Sequence, residues 1–321
     1  MSSLSKIAIV TSHPIQYNAP LFKRLAGVSC IDLLVFYTWG KDGAGKKYDP
    51  DFNREISWDL PLLEGYDYRF CENTSKKPGS HYFNGIKTPN LIFQIEEWQP
   101  DIVWVWGWAF QSHLKVLRHF KGRSIVWFRG DSTLLDEPSG FSLKKLLRKV
   151  FLKWVYSHID KAFYVGANNR DYFLKFGLKE NQLVLAPHAI DNERFSGVQK
   201  PMTNSFKLLY VGKLEPRKNP FYLMKIMTQL NCAEVKLSIV GSGPLERDLK
   251  EKFSEHSNVE FLGFKNQIEL PSIYSSADLL VLPSLSETWG LTINEALACG
   301  TPVAASVYCG GAIDMINSDN G

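Results

Sequence analysis

Leu279-Leu280-Val281-Leu282-Pro283, then Ser284-Leu285-Ser286-Glu287-Thr288-Trp289-Gly290, then Leu291-Thr292-Ile293-Asn294-Glu295-Ala296-Leu297-Ala298, is the stretch on which the fold turns. The first five residues form a short apolar run closed by proline, the pattern of a buried strand. The last eight follow a glycine and read as a helix starting near Gly290. A buried strand that feeds a helix through a short loop is the repeating unit of a parallel sheet covered on both faces.

The same unit recurs on either side. In the C-terminal half, strands are expected at 207–211, 235–240, 259–262, 279–283 and 302–306, with helices at 220–231, 244–253, 267–275 and 291–298. Toward the N-terminus, strands fit 6–11, 32–37, 101–106, 124–129, 161–165 and 182–186. Helices there fit 20–26, 91–98, 111–119, 142–157 and 168–176. The region 40–88 has no clear period and is expected to form long loops at the first sheet's edge. A polar stretch at 196–205, with Gly197, Pro201 and Asn204, reads as a linker. The expectation is an α/β chain of two Rossmann-like domains, 1–198 and 199–321, facing across a cleft.

Composition narrows the class. A hydrophobic content of 45% with 22% charged residues fits a globular protein with a sizeable core. The formal charge of +4 is mild, and no nucleic-acid partner is expected. The five cysteines contain no C-x-x-C pair, which argues against a disulfide framework or a zinc site and for a reducing compartment. The apolar run after Lys6 is too short for a signal peptide, and the longest, 102–110, is too short to span a bilayer. A cytoplasmic protein is expected.

Three segments carry chemistry. In the first, backbone N–H groups at Gly290, Leu291 and Thr292 open a helix at the carboxyl end of a strand, where the helix dipole suits a diphosphate. Glu287 and Glu295 bracket that point as acceptors for two groups of sugar hydroxyls; alternatively they are a solvated cap and a surface helix residue. The second is Gly212-Lys213-Leu214-Glu215-Pro216-Arg217-Lys218-Asn219. It crowds three cations onto one strand-to-helix turn, as neutralising a diphosphate requires. The third, Val240-Gly241-Ser242-Gly243-Pro244-Leu245, matches two glycines of G-x-G-x-x-G but has Glu246 at the third position. It reads as a tight turn lining a nucleotide pocket, not as a dinucleotide fingerprint.

In this order and context the three segments resemble the nucleotide-diphospho-sugar glycosyltransferases of family 4, whose two-domain architecture is called GT-B. The resemblance also rests on the segment from Ala186-Pro187-His188 to Arg194-Phe195, on Gly300-Thr301-Pro302-Val303, and on the segment from His13-Pro14-Ile15-Gln16 to Leu21-Phe22. It implies that Lys213 and Lys218 hold the donor diphosphate, Glu295 the ribose hydroxyls and Glu287 the hydroxyls of the transferred sugar. Retention of anomeric configuration is implied too, with the donor phosphate taking the acceptor proton. No cofactor or metal is then required, and the donor is a UDP-sugar or GDP-sugar.

Departures from the family pattern matter. Where many members carry a His after the fourth N-domain strand, this chain has Phe128-Arg129-Gly130-Asp131-Ser132-Thr133. Arg129 or Asp131 is expected to contact the sugar or acceptor instead, or else to form a structural ion pair. His13 and Gln16 sit where an acceptor is read, or serve a plain cap or turn. Members of the family continue beyond the motif at 318–321, so the second domain is expected to be incomplete. Gly40-x4-Gly45-Lys46 fails as a P-loop because Lys47 replaces Ser or Thr. Asp49-Pro50-Asp51 matches D-x-D but lies outside the inferred cleft.

Residues 142–157 alternate Lys and Arg with Leu, Val, Phe and Trp in a basic amphipathic pattern. This suits an anionic membrane surface, or a core-packed helix with a solvated lysine face. The function expected is transfer of a sugar from a nucleoside-diphosphate-sugar to a glycan or lipid-linked acceptor in surface polysaccharide synthesis. An inactive sugar-nucleotide-binding scaffold and a GT-B epimerase are the alternatives.

Overall fold

The computed structural model describes residues 4–45, 47–49 (backbone alone), 52, 54–135, 137, 140, 142–198, 200, 205–230 and 232–321. Lys46, Pro50 and Asp51, and the linker positions 199 and 201–204, lie outside them. The first elements in chain order are β1 (Ser5–Thr11), α1 (Ala19–Ala26), β2 (Ile31–Tyr37), β3 (Lys47–Asp49), β4 (Arg54–Ile56), β5 (Asp67–Phe70), α2 (Leu91–Trp98), β6 (Ile102–Trp106) and α3 (Gln111–Phe120). They are followed by β7 (Ile125–Arg129), α4 (Leu143–Tyr156), β8 (Lys161–Tyr164), α5 (Ala167–Lys175), β9 (Leu183–Leu185) and α6 (Asn192–Phe195). The remainder comprises β10 (Phe206–Val211), α7 (Tyr222–Leu230), β11 (Val235–Val240), α8 (Glu246–Lys252), β12 (Val259–Gly263), α9 (Leu270–Ser275), β13 (Leu279–Leu282), α10 (Leu291–Ala298), β14 (Val303–Ala305) and α11 (Ala312–Met315).

Two parallel sheets result, one per Rossmann-like domain. The first runs β5-β2-β1-β6-β7-β8-β9 and the second β12-β11-β10-β13-β14. Central strands such as β1, with five consecutive buried residues, are covered on both faces. Strand order reverses between β1 and β6 in the first sheet and between β10 and β13 in the second. Such switch points open a crevice at the carboxyl ends of the strands. The loops after β10 and β13 carry Lys213, Lys218 and Glu287, and Glu295 follows in α10.

The region 40–88 is not all loop. Asp67–Phe70 forms the edge strand of the first sheet, pairing in parallel with β2. The short β3–β4 hairpin pairs antiparallel and belongs elsewhere. The chain divides into two compact units, Met1–Lys46 with Pro61–Pro187, and Lys47–Leu60 with His188–Gly321. The passage into the second unit thus falls at 187/188, ahead of the expected 198/199. An excursion of the N-terminal half is also part of the C-terminal domain.

Helix α4 is fastened by Leu152, Val155 and Tyr156, which are buried. Its other apolar residues, Leu143, Leu146, Leu147, Val150, Phe151 and Trp154, are exposed. Their spacing at i, i+3, i+4, i+7, i+8 and i+11 makes one stripe opposite the buried face. Among the described residues no helix is long and apolar enough to cross a membrane.

The second domain depends on a backbone crossing. Gly212 donates its N–H to the Val240 carbonyl at 3.0 Å, and Leu214 donates to Ser242 at 2.9 Å. Gly241 sits at φ +136°, and a Cβ there would lie 1.9 Å from the Gly212 carbonyl oxygen. Only glycine allows the loops after β10 and β11 to touch backbone to backbone. Gly241→Ala is expected to cost at least about 2 kcal/mol of stability in denaturant unfolding. Gly45→Ala, in open space, should cost far less.

Candidate functional site

In the second domain the loops after β10, β11 and β13 converge. After β10, Gly212 and Lys213 lead through buried Leu214 and Glu215 into a 3-10 turn, Pro216–Lys218, closed by Asn219 in the left-handed region. Asn219 Nδ2 donates to the Pro283 carbonyl at 3.2 Å, and Leu285 N donates to the Arg217 carbonyl at 2.8 Å. These two bonds tie the β10 loop to the β13 loop. Across the join, the Lys218 ammonium forms an ion pair with the Glu287 carboxylate. Both side chains are under one-fifth exposed, at 18% and 19%.

Burial pulls the Lys218 ammonium down to about 8, and neighbouring Arg217 and Lys213 add to the push, while Glu215 opposes it. A cation held this way gains from an incoming anion, because a second negative group offsets its lost hydration. Glu287 is itself fixed by backbone, its N–H donating to Tyr308 and its carbonyl accepting from Gly310.

Gly290, at φ 94° and ψ 68°, starts α10 in a conformation that favours glycine. It supplies no side-chain cap, and the N–H groups of the first turn, at Leu291 and Thr292, have no partner within the helix. Gly243 lies against the backbone of Leu214. Trp289, buried, donates Nε1–H to Asn294 Oδ1 at 2.8 Å, and Asn294 Nδ2 reaches the His188 carbonyl at 3.2 Å.

Glu295 follows one turn into α10. Its Oε2 accepts from the Tyr274 hydroxyl at 2.6 Å. Burial pushes its carboxyl up to about 7; the Tyr274 hydrogen bond and the Arg194 charge pull the other way. Arg194, on α6, is held by the Gln267 carbonyl and by Gln267 Oε1 at 2.8 Å. Neither Tyr274 nor Arg194 was singled out from sequence as a site residue, although Arg194 falls in a quoted segment.

In the first domain the expected acceptor residues follow different strands. His13 lies after β1, its Nδ1 2.9 Å from Ser12 Oγ and its ring edge-on to Trp39 at 5.2 Å. Gln16 is half-buried in the same loop. Arg129, at the end of β7, is 5% exposed. Its guanidinium donates to the carbonyls of Ala186 at 2.8 Å and Pro187 at 3.3 Å, and lies over the Trp106 ring. Asp131 is exposed; its charge helps raise Tyr17, which burial pushes up to about 12, and opposes the burial that lowers Arg129 to about 10. Tyr17 is thus a further polar group of this loop cluster. Among the described residues no group of three His, Cys, Asp or Glu side chains is placed to hold a metal.

Comparison with known proteins agrees with this architecture. The family described as glycosyl transferases group 1 matches residues 191–321. An uncharacterized glycosyltransferase of Methanocaldococcus jannaschii is 33% identical over 163 residues, covering 50% of this chain and 39% of that protein. Glycogen synthase of Mycobacterium tuberculosis is 28% identical over 233 residues, covering 70% of this chain and 56% of that protein. The matches thus span 39% and 56% of these curated relatives' length. Anabaena HepE, solved in complex with UDP and glucose, superposes with a TM-score of 0.65 at 16% identity, covering 98% of this chain and 83% of that one. Sucrose-phosphate synthase from Thermosynechococcus elongatus gives 0.67 at 19% identity, covering 97% and 84%. The chain has the GT-B fold: two Rossmann-like α/β domains in tandem.

A pH test follows from Glu295. Its folded carboxyl, raised to about 7 from 4.5, keeps its proton where the unfolded chain has lost it. Stability therefore falls as pH rises from 4.5 to 7 and then levels. Glu295→Gln should be more stable than wild type at pH 8, by as much as roughly 3 kcal/mol, with the gain vanishing near pH 4.5. Urea unfolding at both pH values checks this, and an equal difference at the two would contradict it.

Proposed function

We propose that this chain is a glycosyltransferase that moves a sugar from a nucleoside-diphosphate-sugar to an acceptor hydroxyl. The observation that carries the reading is the Lys218–Glu287 ion pair at the switch point of the second sheet, beside the N-terminus of α10. Lys213, Lys218 and the first-turn N–H groups of α10 hold the diphosphate. Glu287 takes the hydroxyls of the transferred sugar, and Glu295, positioned by Tyr274, takes the ribose hydroxyls. Gly212, Gly241 and Gly243 let backbone approach the nucleotide closely. The similarity of residues 191–321 to glycosyl transferases group 1 supports these assignments, and the UDP and glucose bound in Anabaena HepE fit the same ligand chemistry.

The reaction in this reading breaks the bond between the anomeric carbon and the phosphate oxygen and forms one to the acceptor oxygen. The acceptor proton passes to the departing phosphate, attack is from the face it leaves, and configuration is retained. No protein base or metal is needed; the site supplies charge and position. His13, Gln16 and Asp131 are proposed to face the acceptor. Arg129, committed to two carbonyls, acts there by holding the chain at 186–187. Glu287→Gln is expected to lower kcat/KM for transfer at least about 100-fold, measured as product formed from radiolabelled UDP- and GDP-sugars, with EDTA having no effect. Activity lost to EDTA and restored by manganese would overturn the metal-free reading.

The acceptor is proposed to be lipid-linked and met at an anionic membrane surface, with the chain on its cytoplasmic side. Support comes from the exposed apolar stripe of α4 with Lys144 on one flank and Lys149 and Lys153 on the other. Flotation with anionic vesicles should recover the wild-type protein and at least about tenfold less of Leu147→Glu/Val150→Glu. Equal recovery of the two would exclude α4 as the docking surface.

A further inference from the structure

The excursion Lys47–Leu60 leaves the N-terminal half to pack on the second domain, and it packs on the loops that the proposed donor requires. Ile56 is buried there, and β4 is held against β3. Ser242, from the glycine turn after β11, donates its hydroxyl to the Phe52 carbonyl at 3.0 Å. The Lys213 ammonium lies 4.8 Å from the centre of the Phe52 ring. Phe52 also meets Phe264 edge-on at 5.4 Å, and the Arg54 guanidinium covers Phe264 at 4.6 Å.

A carbonyl oxygen and an aromatic face are the electron-rich features a neutral residue offers to a donor and a cation. Phe52 therefore presents to Ser242 and Lys213 a weak counterpart of what a diphosphate presents strongly. Farther along, Asn266 Nδ2 donates to the Ser57 carbonyl at 2.8 Å. The Asp59 carboxylate accepts from the N–H groups of Gln267 at 3.1 Å and Ile268 at 3.2 Å. The excursion is thus held at Phe52 and again at Ser57 and Asp59. Between Phe52, Arg54, Glu55 and the segment Ser242, Gly243 and Glu246 lies an open cavity of about 400 Å3.

We propose that Phe52 together with residues 54–60 forms a latch on the donor site: Phe52 occupies Lys213 and Ser242 until a nucleoside diphosphate displaces it. This rests on the donor reading above. A charged diphosphate outcompetes the ring because its bonds to Lys213 are charge-assisted. The latch nevertheless lowers apparent affinity in proportion to the fraction of molecules in which it is unseated.

The test pairs calorimetric titration with UDP and GDP and hydrogen exchange over residues 54–60, on wild type, Phe52→Ala and Asp59→Asn. The latch predicts that at least one nucleotide binds about fivefold or more tighter to both variants than to wild type. It also predicts that saturating nucleotide speeds exchange across 54–60 in the wild-type protein. Binding by the variants alone, with wild type silent, would support it as well. Equal or weaker binding by the variants, or slower exchange with nucleotide, would overturn the latch and make the excursion a wall of the pocket. No binding by any of the three proteins would instead remove the donor reading, and the latch with it.

Discussion

A lysine and a glutamate, each more than four-fifths shielded from water, face each other across the join between two loops of the second domain. Burying such a pair costs several kcal/mol per ion, and apolar side chains of similar size would hold the loops together as well or better. Charge at this place is therefore better explained by what it receives than by the fold it supports. The rest of the domain is arranged so that the pair can exist. The reversal of strand order between β10 and β13 opens the space. The bonds from Asn219 and Leu285 lock the two loops, and the backbone contact at Gly212 and Gly241 fixes the floor beneath them.

Glu295 obeys the same physics from the other side. Enclosure raises it toward neutrality, and Tyr274 and Arg194 hold part of its charge. A carboxylate in that balance accepts hydroxyl donors well, because each hydrogen bond made to its charged form is one that water no longer supplies. Burial draws Lys218 down and Glu295 up, so each stands to gain from a ligand group that replaces the hydration it has lost.

Much of this was legible in sequence because it is local. Continuous apolar runs at β1, β6, β10, β11 and β13 read as buried parallel strands, and the loops behind them carry glycines, lysines and glutamates at short spacing. What was missed is non-local or weakly patterned. β5, with three of its four residues exposed, has no apolar run, and β3 and β4 are three residues each. Nothing in residues 47–60 announces that they pack on a domain beginning at His188. Tyr274 reaches Glu295 from 21 positions away, and no periodicity points to it. Arg129 drew notice from its place at a strand's end, yet its partners lie at Ala186 and Pro187, where only the folded chain brings them.

The account stands on one claim, that Lys218 is shared between Glu287 and a diphosphate. Calorimetric binding of UDP and GDP to Lys218→Met and Glu287→Gln tests it most directly. The account predicts that Lys218→Met weakens the bound nucleotide at least about tenfold, the cost of losing one charge-assisted contact. Glu287→Gln, which frees the lysine, should bind the same nucleotide as tightly as wild type or tighter. Unchanged affinity in Lys218→Met, or an equal loss in both variants, would show that the ion pair only braces the loops and that the anion site lies elsewhere.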